Sequence, residues 1–202
     1  YRAASPQRLD ARLSLDLPVT FITEASWIAR DLAHRRPDAR CHLVRNGVDK
    51  DVFAPPDQLE PRTDGPLRIL VEGNPHLWFK GVNEAIEATK HMEAERHVTL
   101  VAGDRTGLDE PEAVDRIVGP VSAREMADLY AESHVVLKLS RVEGMYGPPL
   151  EGFHRGATCV VTPVTGHDEY VVHGENGLVV DWDDPAGTTR ALDLLARACE
   201  LV

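Results

Sequence analysis

The chain of 202 residues has 22 Lys and Arg against 33 Asp and Glu, a formal net charge of -11 at pH 7, and 43% hydrophobic residues. A surface of that sign repels nucleic acid and anionic lipid, although backbone N–H groups and one or two cations can still bind a small anion. Three widely spaced cysteines argue against a disulfide framework or a zinc site, and fit a reducing, cytoplasmic compartment. The sequence shows neither a signal peptide nor an apolar run of membrane-spanning length.

The first part of the chain predicts a short α/β segment followed by a linker. Its apolar runs and helical pattern indicate a strand at 19–23, a helix at 27–34 with Ser26 as its cap, and a strand at 41–44. The following stretch is rich in proline and charge and has no periodicity, which is typical of a linker. We therefore assign residues 1–57 to the tail end of a separate α/β domain together with a hinge, and 58–66 to the linker.

From residue 67 onward, short apolar runs alternate regularly with helical patterns. The predicted strands are 67–71, 98–102, 117–118, 135–139, 159–162 and 177–180, and the predicted helices are 81–92, 122–132, one that begins near 148, and 184–202. Ser122, with Glu125 three residues later, indicates a capping box. Strands that alternate with helices imply right-handed crossovers and a parallel sheet covered on both faces. We predict an α/β fold, with a Rossmann-like domain over 67–202.

One loop after a predicted strand carries two carboxylates. Glu143 follows strand 135–139, Glu151 lies about one turn into the next helix, and Gly144 and Gly147 stand between them. In an open parallel sheet, ligands bind beyond the carboxyl ends of the strands. The glycines let backbone N–H groups approach phosphate oxygens, while carboxylates accept hydrogen bonds from ribose or sugar hydroxyls. Alternatively, the two acids only interact favourably with the helix dipole and bind no ligand. The glycine and proline residues around them favour a ligand site.

Two further loops carry candidate ligand contacts. Lys80 precedes helix 81–92, where a cation opposes the helix dipole, and an anionic ligand would resolve that conflict better than solvent. Thr165 and Gly166 follow another strand and could donate hydrogen bonds to phosphate or sugar. The acids that come after them could equally just favour the next helix start, and both interpretations stay open. No histidine or acid has the spacing of metal ligands, so no metal site is predicted.

Several motifs, in the expected order, resemble the retaining glycosyltransferases of family 4, which have the GT-B fold. Glu143 to Glu151 is similar to the E-x7-E signature of that family, and Lys80-Gly81 to its Lys-Gly pair. Further similarities are the hinge segment 46–49 with Phe53, the helix 123–130 and the Asn-Gly-Leu turn within 174–179. The resemblance covers most of the chain, and it is to the C-terminal nucleotide-sugar-binding domain preceded by a remnant of the N-terminal, acceptor-side domain.

The resemblance implies a nucleoside-diphosphate sugar as donor substrate, hexosyl or deoxyhexosyl transfer with retention of configuration, and neither cofactor nor metal. Carried over to this sequence, it implies that Glu151 holds the ribose hydroxyls, Glu143 the donor-sugar hydroxyls and Lys80 the diphosphate. Glu143 and Lys80 are then the candidate catalytic residues. The other candidate donor-binding residues lie in the Glu143 loop and at neighbouring strand ends: Gly144, Met145, Tyr146, Gly147, Asn74, Val118, Gly119, Thr165 and Gly166.

This sequence departs from the family pattern in two ways. The family usually has an arginine six residues before its lysine, where this chain has Asn74, so one charge partner of the diphosphate is missing or replaced by His76 or Arg141. Only residues 1–57 represent the acceptor domain, so we expect the chain alone to bind donor and to transfer sugar poorly or not at all. The missing domain would select the acceptor, whether glycan, lipid or small molecule, and provide any contact with the inner face of a membrane.

Two other functions stay open at this point. Asn74 in place of arginine favours a non-catalytic nucleotide-binding or interaction module of the same fold. A third reading is another GT-B enzyme, such as a nucleotide-sugar epimerase. The sequence leaves the sugar and the base of the donor open in every case.

Overall fold

The chain divides into two units at Gly47. The computed structural model describes residues 13–56 and 65–198. In the smaller unit, β1 (Phe21–Thr23) and β2 (Cys41–Leu43) pair in parallel, with α1 (Ser26–Arg35) between them in sequence. The predicted cap of α1 is wrong: Ala25, in extended conformation, precedes the helix, and Ser26 is its first residue. The Ser26 hydroxyl accepts a hydrogen bond from Arg30 one turn later, at 2.9 Å.

The larger unit, 48–202, begins earlier than the predicted boundary at residue 57. Phe53 is buried beside Tyr130, with ring centroids 6.2 Å apart, and Val48 and Val52 pack against the same core. These apolar contacts place 48–56 in the larger unit rather than in a preceding domain, which corrects that part of the prediction. Most of the predicted linker, 58–64, and the end of the last predicted helix, 199–202, lie outside the described residues.

A single six-stranded parallel sheet forms the centre of the larger unit. Its elements are, in chain order, β3 (Leu67–Glu72), α2 (Val82–Lys90), β4 (Arg96–Val101), β5 (Arg116–Val118), α3 (Ala123–Glu132), β6 (Val135–Lys138), α4 (Pro148–His154), β7 (Thr158–Val161), β8 (Gly177–Val179) and α5 (Pro185–Ala198). The strands lie side by side in the order β5-β4-β3-β6-β7-β8. The predicted α/β fold with a parallel sheet is confirmed, and the predicted elements are found with ends shifted by a few residues.

Helices cover both faces of this sheet, because each face is apolar. On one face, α2 buries its predicted apolar stripe of Val82, Ala85 and Ile86 together with Leu192 of α5. On the other face, α3 buries Tyr130 and its neighbours against the sheet. Each fully buried aliphatic side chain contributes about 1.5–3 kcal/mol, so these two cores hold the sheet in a fixed geometry. The predicted capping box of α3 is present, with Ser122 as N-cap.

The strand order creates a crevice between β3 and β6. The chain runs outward from β3 to β5, then returns to pair β6 with β3 and continues outward on the other side. At such a switch point the loops after the two central strands diverge and leave room for a ligand beyond their carboxyl ends. The pairing of Val71 with Leu137 sets the two last strand residues, Glu72 and Lys138, next to each other at that crevice.

Candidate functional site

An open cleft of about 550 Å³ lies beyond the carboxyl end of β3. Glu72, Asn74 and Lys80 line it from β3 and the loop that follows, and Tyr130 of α3 and Glu151 of α4 line it from the other side. A volume of roughly 300–1,000 Å³ is usual for small-molecule sites. The cleft therefore has the place and the size expected of a ligand site in a sheet with this strand order.

The turn before α2 brings Lys80 to the loop after β6. Gly81 adopts φ 64°, and a Cβ built there would stand 2.1 Å from the carbonyl oxygen of Leu139. Only glycine permits this approach, because any side chain would collide with the neighbouring main chain. The backbone N–H of Arg141 also donates to the Phe79 carbonyl at 2.8 Å. As a result, the Lys80 ammonium donates to Glu143 Oε1 at 2.9 Å, so the structure brings the two candidate catalytic residues together.

Glu151 occupies the opposite wall of the cleft. Its carboxylate accepts a hydrogen bond from the Tyr130 hydroxyl. Burial raises the pKa of Glu151, the Tyr130 hydrogen bond lowers it, and the nearby charge of Glu72 raises it further, with a net upward shift. A half-buried carboxylate of this kind is stabilised by additional hydrogen-bond donors. Ligand hydroxyls would supply such donors.

A second ion pair at the crevice was missed by the sequence analysis. Lys138 is only 2% exposed, and its ammonium lies 2.6 Å from Glu72 Oε2. It also donates to the Glu72 carbonyl at 3.1 Å and lies 4.0 Å from Glu143 Oε1. The sequence did hold a signal, since Lys138 ends a strand whose other residues are all apolar, and a lysine is almost never fully buried without a partner.

The other predicted donor-binding residues surround the cleft rather than line it. Tyr146 is 1% exposed and its hydroxyl lies 3.0 Å from Thr162 Oγ1, so only its main chain is available to a ligand. The Thr165 hydroxyl donates to the Glu143 carbonyl at 3.5 Å, which places the loop of Thr165 and Gly166 beside the Glu143 loop. Further residues stand outside the lining of the cleft: Gly144, Met145, Gly147, Val118, Gly119 and Gly166.

Asn74 lines the cleft, but neither predicted substitute for the missing arginine does. The side-chain oxygen of Asn74 accepts from the backbone N–H of Asp104 at 3.0 Å, which fixes the amide. His76 lies 3.5 Å from the Asp104 carboxylate, and Arg141 pairs with Asp183. Both side chains face a separate groove of about 570 Å³. In this structure His76 and Arg141 thus lie outside the lining of the cleft, each beside an acid of its own.

Two features of the described part of the chain bear on metals and membranes. Within residues 13–56 and 65–198, no three His, Cys, Asp or Glu side chains converge in a way that would hold a metal ion. Over the same ranges, every helix is too short or too polar to cross a bilayer.

Comparison with known proteins places this geometry in a family context. A model of the family described as glycosyl transferases group 1 matches residues 66–197, which include every strand of the six-stranded sheet. D-inositol 3-phosphate glycosyltransferase of Xylanimonas cellulosilytica is 30% identical over 180 residues, covering 77% of this chain and 43% of the relative. The enzyme of the same description from Frankia alni is 27% identical over 83% of this chain and 47% of its own length. The chain thus spans about half the length of the curated relatives it matches.

Two solved structures of similar fold are longer than this chain. Sucrose-phosphate synthase from Thermosynechococcus elongatus superposes with a TM-score of 0.77 at 20% identity, over 99% of this chain and 56% of that protein. HepE of Anabaena, whose structure is of a complex with UDP and glucose, superposes with a TM-score of 0.70 at 16% identity, over 96% of this chain and 60% of its own. At these identities the likeness establishes the fold.

Proposed function

The chain belongs to the glycosyl transferases group 1 family, and on that premise we propose that its larger unit binds a nucleoside-diphosphate sugar in the cleft beyond β3. The longer protein would transfer the hexosyl or deoxyhexosyl group to an acceptor with retention of configuration. One observation carries the proposal: Lys80, a cation that lines the cleft, is bonded to Glu143. An anion-binding group and an acceptor for hydroxyls therefore stand next to each other, as a phosphate linked to a sugar requires.

Lys80 and Glu151, which line the cleft, and Glu143, which lies beside it, each have a role in this proposal. Lys80 binds the diphosphate and stabilises the negative charge that develops as the nucleotide leaves. Glu143, released from Lys80, accepts hydrogen bonds from the hydroxyls of the sugar, and Glu151 accepts them from the ribose. The proposal requires neither a cofactor nor a metal.

Gly147 leaves open space beside the Glu143 loop. Apart from its two chain neighbours, no atom lies within 4 Å of the place where a Cβ would stand. Its helical φ of -76° and ψ of -54° directly before Pro148 disfavour a side chain, so the local backbone itself favours glycine. In the proposal, the donor approaches the loop main chain through this open space.

Calorimetric titration with UDP-, GDP-, dTDP- and ADP-sugars tests the proposal. UDP-glucose comes first, because the HepE structure contains UDP and glucose. We expect saturable binding of one nucleotide sugar, weakened about tenfold or more by Lys80→Met and by Glu151→Gln. Lys90→Met is the matched control, since Lys90 is 29% exposed against 25% for Lys80, also pairs with glutamates, and lies outside the cleft. If the folded chain binds none of these donors, the proposal is wrong.

A nucleotide-binding module without transfer activity is a second candidate, favoured by the charges of the cleft. Among its lining residues, all of which lie in the described part of the chain, Lys80 is the single Lys or Arg, whereas Glu72 and Glu151 are both acidic. A diphosphate usually meets more than one cation. Incubating the longer protein with the donor that binds separates the candidates, because a transferase releases nucleoside diphosphate in the presence of acceptor and a binding module leaves the donor intact.

A further inference from the structure

Lys138 is a buried lysine at the carboxyl end of β6. Its side chain is 2% exposed, yet its ammonium is surrounded by oxygen atoms: Glu72 Oε2 at 2.6 Å, the Glu72 carbonyl at 3.1 Å and Glu143 Oε1 at 4.0 Å. A buried ammonium is tolerated only where such partners replace its water. The first two oxygens belong to β3, the neighbouring strand, so Lys138 is fixed by the sheet rather than by a mobile loop.

Two lysines therefore share one oxygen of Glu143, and they differ in access to solvent. Lys80 lies 2.9 Å from Oε1, is 25% exposed and lines the cleft. Lys138 lies 4.0 Å from the same atom and does not line the cleft. An anion that enters the cleft can consequently draw Lys80 away from Glu143, but it cannot reach Lys138.

We propose that Lys138 is the permanent counter-cation of Glu143, a positioning residue that keeps this carboxylate ionised and in place when Lys80 turns to the diphosphate of the donor. This inference rests on the proposed function for the identity of the ligand. Glu143 is only 14% exposed, so without Lys138 it would face the incoming phosphates with little water and no cation. Such a carboxylate takes up a proton or moves away, and in either case it stops accepting hydrogen bonds in its ionised form.

The other groups around Glu143 do not supply that positive charge. The phenols of Tyr146 and Tyr170 are close enough to interact with Glu143, and burial raises the pKa of each, so both stay neutral at physiological pH. Thr165 donates only to the main-chain carbonyl. In the described structure, Lys80 after β3 and Lys138 on β6 are the charged groups that face this carboxylate.

A competing explanation is that Lys138 only neutralises Glu72, and the test removes that role first. In a Glu72→Gln background, thermal unfolding is measured at about pH 5 and about pH 8 for Lys80→Met, Lys138→Met and the two lysine substitutions together. No ligand is added, because Lys80→Met imitates the state in which Lys80 has left Glu143. Each single variant keeps one lysine facing Glu143, so its melting temperature should depend on pH no more than that of the Glu72→Gln parent, to which the raised pKa of Glu151 already contributes.

The doubly substituted chain should behave differently. Glu143 then has no cation, and a partly buried carboxylate without a cation favours its protonated form, so the folded state binds an extra proton. That contribution to stability is lost as the pH rises, so the melting temperature should fall further between about pH 5 and about pH 8 than in the single variants. Adding Glu143→Gln should abolish this additional fall. If the double variant folds at neither pH, rescue of folding by Glu143→Gln supports the proposal, and failure to rescue overturns it.

A double variant no more sensitive to pH than the single variants would also overturn the proposal, whatever the protein binds. A second arm uses UDP-glucose and compares Glu72→Gln with Glu72→Gln/Lys138→Met. We expect binding about tenfold weaker in the second variant, with a loss that grows from about pH 8 to about pH 5, because a carboxylate without its cation favours the protonated form and then accepts fewer hydrogen bonds from the sugar. Equal affinities across that range would contradict the counter-cation role. Absence of UDP-glucose binding by the parent chain would count against the proposed donor, while the ligand-free arm still decides the role of Lys138.

Discussion

The same substitution at two glycines beside the site should have different consequences. Gly81→Ala places a Cβ 2.1 Å from the Leu139 oxygen and 2.7 Å from its carbonyl carbon, at a φ of 64°. Gly147→Ala places a Cβ in open space, at a φ of -76°. If the geometry of the crevice is correct, the first change damages the fold and the second disturbs it much less.

The magnitudes follow from these two environments. The left-handed conformation costs a residue with a side chain about 1–2 kcal/mol, and overpacking against main-chain atoms adds about 1–3 kcal/mol. Gly81→Ala should therefore lower the free energy of unfolding by about 2–5 kcal/mol, which for a chain of this size lowers the melting temperature by roughly 5–15 °C. Gly147→Ala should cost less, about 1 kcal/mol, because it meets no clash and only the restriction on a helical residue before a proline.

Thermal unfolding followed by circular dichroism measures the first half of this prediction, and donor titration measures the second. The methyl group of Gly147→Ala would stand where the ligand approaches the main chain, so it should weaken nucleotide-sugar binding about tenfold, while the melting temperature falls less than in Gly81→Ala. An unchanged melting temperature in Gly81→Ala would refute the close approach of the Lys80 turn to β6. Undiminished binding by Gly147→Ala would refute the contact between ligand and loop main chain.

Three further substitutions test separate parts of the structure. Glu151→Gln removes a carboxylate whose pKa is raised in the folded state, and this carboxylate costs the parent chain stability as the pH rises above the unfolded pKa of glutamate. The variant should therefore have a higher melting temperature than the parent near neutral pH, and the difference should vanish below about pH 4. Tyr146→Phe removes a buried hydroxyl that lies 3.0 Å from Thr162 Oγ1, and urea unfolding should show a loss of about 1–2 kcal/mol. Ser122→Ala removes the capping box of α3 and should cost about 1 kcal/mol in the same assay, with no direct effect on Lys80 or its partners.

Local patterns in the sequence predicted the fold well because its elements bury regular apolar faces. The strand 135–139 is apolar in the sequence except for Lys138, and all of Val135–Lys138 is buried in the structure. The cap of α1 was wrong because a cap is chosen by backbone conformation: Ala25 holds the extended φ of -121° that precedes a helix, and Ser26 does not. The boundary at residue 57 was wrong because Phe53 packs against Tyr130, a contact that periodicity along the chain does not show.

The site was predictable only as far as its residues lie in one loop. Glu143 and Glu151 share a loop and helix with glycines between them, and Lys80 was found through its place at a helix start. The pair of Glu72 and Lys138 was missed because its partners are 66 residues apart and meet only through the pairing of β3 with β6. That pairing follows from the strand order, which alternation of strands and helices leaves open.

The charges of the crevice also explain how a chain of net charge -11 can select an anionic ligand. Before a ligand binds, Lys80 is paired with Glu143. A simple anion can bind Lys80 only if Glu143 loses this partner, and the anion offers Glu143 no replacement. A nucleotide sugar avoids this loss, because its phosphates take Lys80 while its hydroxyls take the place of Lys80 at Glu143. In the proposed site, the pair of Lys80 and Glu143 weakens the binding of phosphate alone and therefore favours phosphate joined to a sugar. Lys138 keeps Glu143 ionised while Lys80 moves from Glu143 to the phosphates.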